Sequence, residues 1–374
     1  MPSTQTVKRT SVIFFFFFCI TLVFAPAFAN SLKTRFLHEA EIEPIDFEQS
    51  TAVNDFLDYM VERHGFTRDE LERIFSQVQF NTRSLQLIKP APITKPKNWM
   101  AYRARFIEPI RIKAGVKFWD NYAETLNRAE KQFGVPAQII VGIIGIETIF
   151  GKDVGKFRVM DVLATLGFTY PDTSNRVMRM TYFRGELEHV LLFARESGID
   201  PFSLLGSYAG AIGWPQFMPS SIRQYAVDFD GDGKIDLRNS TNDAIGSVAN
   251  FLSQHGWETG LPLVFPAKII NDHPETMLAT ELSATSTLQQ LADVAIPTQK
   301  TIPTQLLYGL IDLQNGHEPT EYWFATQNFF AITKYNRSYF YAMSVIELGK
   351  AVCAAREGGQ ECTKSSKYGQ QASQ

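Results

Sequence analysis

Apolar positions recur with helical spacing over most of this chain. Within residues 51–80, Phe56, Met60 and Val61 share one stripe, and Thr67 with Glu70 reads as a capping box ahead of Leu71 and Ile74. Residues 89–96 include Pro90, Pro92 and Pro96, whose fixed φ predicts an extended linker. Helical spacing resumes over 99–106 and 115–133. Gly134-Val135-Pro136 then closes one helix and opens another, with Pro136 expected in the first turn, where its missing N–H costs nothing. Between Leu261 and Leu313, Pro and Thr become frequent, and 263–270, 305–313 and 322–326 read as short strands. Helix returns over 338–355, with Tyr341, Val345 and Leu348 at helical spacing. The expected fold is mainly α with a small β-rich insert, and no internal repeat is present.

The N-terminus breaks this pattern. Lys8 and Arg9 precede an apolar run from Val12 to Phe24, shorter than the roughly 20 residues of a membrane span. Ala27-Phe28-Ala29 puts small residues at −3 and −1 of a cleavage site. Residues 1–29 read as a cleaved secretory signal with Asn30 as the new N-terminus; an uncleaved anchor is the alternative. Cys19 lacks the small-residue context of a lipidation site. Export leaves Cys353 and Cys362, which either bridge in an oxidising compartment or remain two thiols on a polar tail.

Composition narrows the function classes. With 374 residues, 45% hydrophobic and 20% charged, the chain can bury a sizeable core, which excludes a disordered polymer or a small disulfide scaffold. A net charge of −3, falling to −5 once Lys8 and Arg9 are removed, supplies no basic field for nucleic acid. The histidines at 38, 64, 189, 255, 273 and 317 form no zinc motif. Nucleotide-binding glycine loops and the serine-hydrolase elbow are also absent.

Two segments carry candidate chemistry. Residues 136–151 contain one ionisable side chain, Glu147, flanked at helical spacing by Ile143, Ile144 and Phe150. Desolvation raises a carboxyl pKa, and a Glu protonated near neutral pH suits general-acid attack on a glycosidic oxygen. The alternative is a structural Glu, satisfied by helix-end N–H groups or by Arg158. The second segment, residues 228–236, fits D-x-D-x-D-G: Asp228, Asp230 and Asp232 alternate, Gly233 allows the turn, and the Lys234 carbonyl falls at position seven. Position twelve is Asn239 in place of Glu, so its amide oxygen closes the loop, or Asp243 closes a longer one, or the affinity is weak. A structural calcium ion is expected over residues 228–239, and a solvated acidic turn is the alternative.

Further stretches extend the picture: Gly142 to Thr148 with Phe150-Gly151, Asp161 to Leu166, Tyr170-Pro171, the run Gly206 to Ser221, His255-Gly256-Trp257, Tyr335-Asn336, and Phe340 to Met343. With Glu147 and the acidic loop, they resemble the lytic murein transglycosylases of the membrane-bound type B family, from about Phe36 to Val352. The resemblance implies a goose-lysozyme-like helical core carrying an EF-hand-like calcium loop. It implies cleavage of the bond between N-acetylmuramic acid and N-acetylglucosamine in peptidoglycan, leaving a 1,6-anhydro end, by a periplasmic enzyme with no organic cofactor. Glu147 would be the catalytic acid, and Ser207, Gln216, Tyr335, Asn336 and Tyr341 would contact the glycan strand. Other cell-wall enzymes are plausible partners.

The corresponding division is an export signal (1–29), an N-terminal helical region (30–130), a catalytic core (131–257), a β-rich insert (258–321), a return to the core (322–355) and a tail (356–374). Two departures stand out. Asp172 and Thr173, with Arg176 beyond, replace a basic pair after Tyr-Pro, which bears on peptide-stem contacts. Phe251 replaces a Tyr before His-Gly-Trp. A hydrolytic muramidase would need a second positioned group, and a non-catalytic wall-binding scaffold would not need Glu147.

Overall fold

The computed structural model describes residues 44–90, 96–299 and 302–359. The expected export signal, most of the Pro-rich linker, Cys362 and most of the tail lie outside the described residues.

Short helices lead in: α1 (Thr51–His64), α2 (Arg68–Phe75), α3 (Thr82–Ile88) and α4 (Trp99–Arg103), followed by α5 (Pro109–Asn121) and α6 (Ala123–Phe133). Gly65 ends α1 in the left-handed region at φ 65°. Half of the expected capping box forms, since the Thr67 side chain accepts the Glu70 N–H at 3.2 Å. The stretch 115–133 is two helices, not one. Tyr122, at φ −120° and ψ 23°, interrupts it, while α5 starts earlier under the Glu108 carboxylate, which accepts the N–H groups of Ile110 and Arg111.

The central element is α7 (Ala137–Thr148), whose side chains are buried on nearly every side. Such a helix belongs in the middle of a core, where tertiary burial outweighs the modest helix propensity of Ile. Pro136 is its N-cap, extended at ψ 140°, so it sits one position before the expected first turn. Helices α5, α6 and α11 (Thr241–Gln254) pack against α7, while α9 (Arg176–Ser197) packs between α8 (Val159–Phe168) and α10 (Pro219–Tyr225). A two-stranded antiparallel ladder, β1 (Phe157–Arg158) with β2 (Leu205–Gly206), was not anticipated from the sequence.

The β-rich segment forms an antiparallel sheet in the order β4-β3-β6-β5, with β3 (Val264–Ile269), β4 (Ala295–Pro297), β5 (Gly309–Asn315) and β6 (Glu318–Ala325). Val264 and Gly309 both face Ala325, which fixes the register across the three longer strands. Leu291, Tyr308, Leu310 and Phe324 give the module its own small core, beside the short helix α12 (Leu288–Leu291). The expected strand over 305–313 starts only at Gly309; before it, the Tyr308 hydroxyl turns back to donate to the Pro303 carbonyl at 2.6 Å.

The chain then re-enters the main core as α13 (Gln327–Tyr335) and α14 (Tyr339–Arg356). Helices α7 and α14 approach at backbone contact. A Cβ on Gly142 would lie 2.3 Å from the Val345 carbonyl oxygen, and one on Gly349 would lie 2.1 Å from that of Gln138. Only glycine fits such a seam. Cys353, near the end of α14, is disulfide-bonded, so it is not a free thiol.

Candidate active site

Glu147 sits in the last turn of α7, where the helix ends in strain. Ile149 and Phe150 follow with φ of 52° and 56°. Gln216, on the opposing loop, has φ 51°, and these three are the non-glycine residues with positive φ among the described residues. Left-handed backbone is costly for a β-branched residue such as Ile149 and persists only where its surroundings enforce it. Its gathering around one carboxyl marks a built site.

The enforcement comes from the loop of residues 207–217. The Thr148 hydroxyl lies within hydrogen-bonding distance of both the Ile144 carbonyl (3.3 Å) and the Trp214 carbonyl (3.1 Å), while its oxygen accepts the Gly151 N–H at 3.1 Å. Trp214 lies against Gly151, where a Cβ would be 2.5 Å from the indole. Phe118 packs against both Trp214 and Phe150, with ring centroids 5.9 and 5.2 Å away.

The other side of the carboxyl is aromatic. The buried Tyr341 hydroxyl donates to Glu147 Oε1 at 2.6 Å. Tyr335 is stacked on Tyr341 with an interplanar angle of 13°, and its hydroxyl donates to the Pro215 carbonyl at 2.5 Å. Burial pushes the Glu147 carboxyl up to about 7, against a smaller lowering by the Tyr341 hydrogen bond. Burial, with Glu147 alongside, holds the hydroxyls of Tyr335 and Tyr341 well above the usual phenol value, so both stay neutral donors. Arg158, the alternative partner for Glu147, instead pairs with Asp161 at 2.7 Å.

The remaining expected residues surround this centre. The Ser207 Oγ accepts the N–H groups of Ala211 (3.1 Å) and Ala209 (3.4 Å), which leaves its proton to donate elsewhere. Gln216 gives its amide N–H to the Gly213 carbonyl at 2.9 Å, so its side-chain oxygen remains as an acceptor. Asn336 is half-buried at the end of α13, next to Tyr335; no side-chain contact ties it to Glu147. Phe251, where a Tyr was expected, is buried between His255 and Tyr335, at 4.0 and 4.8 Å. It supports Tyr335 from behind.

A buried glutamate also escaped the sequence reading. Glu186 on α9 is 4% exposed and raised by desolvation, but its two oxygens accept the Ser220 N–H (2.9 Å) and hydroxyl (2.7 Å) at the start of α10. It holds a helix end. No periodicity signals it, because α9 is polar around much of its circumference.

In the acidic loop, Asp228, Asp230 and Asp232 each bring a carboxylate oxygen within 4.8 Å of the others. Gly231 and Gly233, at φ 80° and 87°, make the turn that gathers them. Lys234 gives its N–H to Asp232 Oδ1 at 2.8 Å. Asn239 turns its amide N–H to Asp236 at 2.8 Å, so its amide oxygen remains as an acceptor. The Asp243 oxygens accept the N–H groups of Phe229, Asp230 and Asp236, bracing the loop on α11.

A desolvated carboxyl facing two tyrosines, at the end of a buried helix in a lysozyme-like helical fold, is the arrangement of a glycan-cleaving enzyme. Residues 48–350 match the family described as the transglycosylase SLT domain, and the chain belongs to that family. It is 43% identical over 319 residues to the membrane-bound lytic murein transglycosylase B of Escherichia coli (strain K12), covering 83% of this chain and 85% of that one. Among solved structures, it resembles the Escherichia coli lytic transglycosylase Slt35 in complex with calcium, at 42% identity and TM-score 0.73 over 86% of this chain and 98% of that one. It also resembles SltB3 from Pseudomonas aeruginosa in complex with NAG-anhNAM-pentapeptide, at 27% identity and TM-score 0.69 over 84% of this chain and 80% of that one.

Proposed function

We propose that this protein is a peptidoglycan lytic transglycosylase that cleaves the β-1,4 bond between N-acetylmuramic acid and N-acetylglucosamine and closes a 1,6-anhydro ring on the muramic acid. The observation that carries this reading is the state of Glu147: a carboxyl near pKa 7, desolvated, with the Tyr341 hydroxyl on one oxygen. Because Tyr341 donates to Oε1, the carboxyl proton resides on Oε2, the oxygen left to act on substrate. That proton passes to the glycosidic oxygen as the bond to C1 of the muramic acid breaks. The resulting carboxylate then takes the proton of the same sugar's 6-hydroxyl as O6 bonds to C1. Glu147 ends as it began, and no water is consumed.

A tethered 6-hydroxyl has the advantage of proximity over a free water molecule. A retaining hydrolase would place a second carboxylate about 5–5.5 Å away. The shift on Glu147 has only burial and Tyr341 as causes, which favours the transglycosylase over the muramidase. Ser207 donates to, and Gln216 accepts from, polar groups of the glycan; Tyr335 and Tyr341 offer aromatic faces, and Asn336 an amide for an acetamido group. The anhydro-sugar ligand of the SltB3 relative supports the product.

Asp228, Asp230 and Asp232, with the Lys234 carbonyl and the Asn239 amide oxygen, would hold a structural calcium ion. Their convergence and the calcium complex of the Slt35 relative support this. The ion would neutralise an acidic turn and take no part in the chemistry. The mature protein would work in the periplasm after cleavage behind Ala29. No helix among the described residues is long and apolar enough to cross a membrane.

The test is mass spectrometry of fragments released from purified peptidoglycan, with Glu147→Gln alongside. Expected are muropeptides one water lighter than hydrolysis products, with the rate in the variant lower by about 10²–10⁴-fold. Hydrated reducing ends would make the protein a muramidase. Binding without release would make it a scaffold.

A further inference from the structure

Arg238 lies at the end of the acidic loop, and its side chain points away from that loop's carboxylates. Its Nη1 donates to the carbonyls of Gly155 at 3.1 Å, Leu205 at 3.3 Å and Val154 at 3.4 Å. Those carbonyls belong to two different segments. Residues 154–155 follow the strained exit of α7, and Leu205 lies two residues before Ser207. The segments meet as closely as backbone allows: a Cβ on Gly155 would lie 2.1 Å from the Gly206 carbonyl oxygen and 2.5 Å from the Ser207 nitrogen. The backbone of the same arginine reaches a third segment. Its carbonyl accepts the Trp214 indole N–H at 3.0 Å, and the neighbouring Leu237 carbonyl accepts the Trp214 backbone N–H at 2.8 Å.

We propose that Arg238 is a positioning residue that clamps the exit of the Glu147 helix to the Ser207 and Trp214 segments, and so holds the floor of the active site closed. This rests on the reading of Glu147 as the acid. All three carbonyls converge on one guanidinium nitrogen, Nη1, which stands one bond farther from Cα than a lysine Nζ, so a lysine does not reach the same point. With the clamp released, residues 154–155 part from the segment that carries Leu205 and Ser207, and water reaches the carboxyl from the α7 end. Arg238 touches no reacting atom. Its effect is exerted through the solvation and placement of Glu147.

The test is an NMR titration of the full exported chain labelled with ¹³C at the glutamate carboxyls, without substrate, with the Glu147 resonance assigned by its loss in Glu147→Gln. In wild type it should titrate near pH 7. In Arg238→Ala and Arg238→Lys it should titrate at least one pH unit lower, while the Glu186 resonance keeps its midpoint. General loosening of the fold would move both carboxyls, so the Glu186 comparison separates positioning from mere stability. On solubilised peptidoglycan strands, kcat should fall about 10–100-fold with KM changed less than threefold. If Arg238→Ala does not fold, Arg238→Lys carries the test. An unmoved Glu147 midpoint in a folded variant overturns the proposal, as does a shift shared equally by Glu186. A wild-type protein that shows the titration behaviour but cleaves no glycan would instead overturn the transglycosylase reading and leave the clamp standing.

Discussion

At the scale of single residues, Glu147 links the chemistry to the pH dependence of stability. Its carboxyl has an ordinary value of 4.5 and a folded value of about 7, so between those limits the native state holds the proton more tightly. The sign follows. The contribution to stability is full below about pH 4.5, is lost as pH rises toward 7, and stays lost above it. Glu147→Gln removes the group that must ionise in a desolvated site, so its melting temperature should exceed that of wild type by a few degrees at pH 8 and match it at pH 4, as scanning calorimetry would show.

Tyr341→Phe takes away the donor that lowers the Glu147 pKa. The midpoint should therefore rise above that of wild type, moving the alkaline fall of the pH–rate profile upward. The maximal rate should drop about 10- to 150-fold, as expected for losing a hydrogen bond to a charged group of about 1.5–3 kcal/mol. An unmoved profile in Tyr341→Phe would mean that the 2.6 Å contact does not operate during turnover.

At the scale of elements, the site depends on how closely α7 and α14 approach. The first carries Glu147 and the second Tyr341, and the glycine seam sets their separation. Gly349→Ala places a methyl group against the Gln138 carbonyl, where backbone and not a flexible side chain must yield. The expected cost is about 1–3 kcal/mol, measured by urea unfolding, with activity per folded molecule reduced because the hydrogen bond is stretched. Gly185, on α9, faces open space, so Gly185→Ala should be neutral or slightly stabilising. Equal losses from the two substitutions would show that the seam is not special.

At the scale of the whole molecule, the acidic loop joins parts that are distant in the chain. Asp243 ties it to α11, and the Leu237 and Arg238 carbonyls tie it to Trp214. A cation binding only the folded form raises stability by RT ln(1 + [L]/Kd), about 2.7 kcal/mol at one hundred times Kd. Added calcium should therefore raise the melting temperature of wild type, and Asp230→Ala with Asp232→Ala should abolish most of that increment. An increment retained in the double variant would remove the loop as the binding site.

The sequence by itself determined the helical character, the strand-rich segment, the lone carboxyl among isoleucines and the spacing of the three aspartates. Each of these is local: a period, a turn residue or a charge conspicuous among apolar neighbours. Tyr335, Tyr341, Ser207 and Gln216 were legible only through family likeness, since a tyrosine at helical spacing reads equally as core. Tertiary structure alone decided that the Tyr341 hydroxyl meets a carboxyl 194 residues earlier, that Trp214 closes the end of α7, and that Arg238 faces carbonyls and not the carboxylates beside it. It also decided that Asp243 braces the loop and that Glu186 caps a helix. The physical reason is that desolvation and hydrogen-bond supply at a buried group are set by whatever packs around it, and those neighbours come from segments whose separation along the chain leaves no periodic trace.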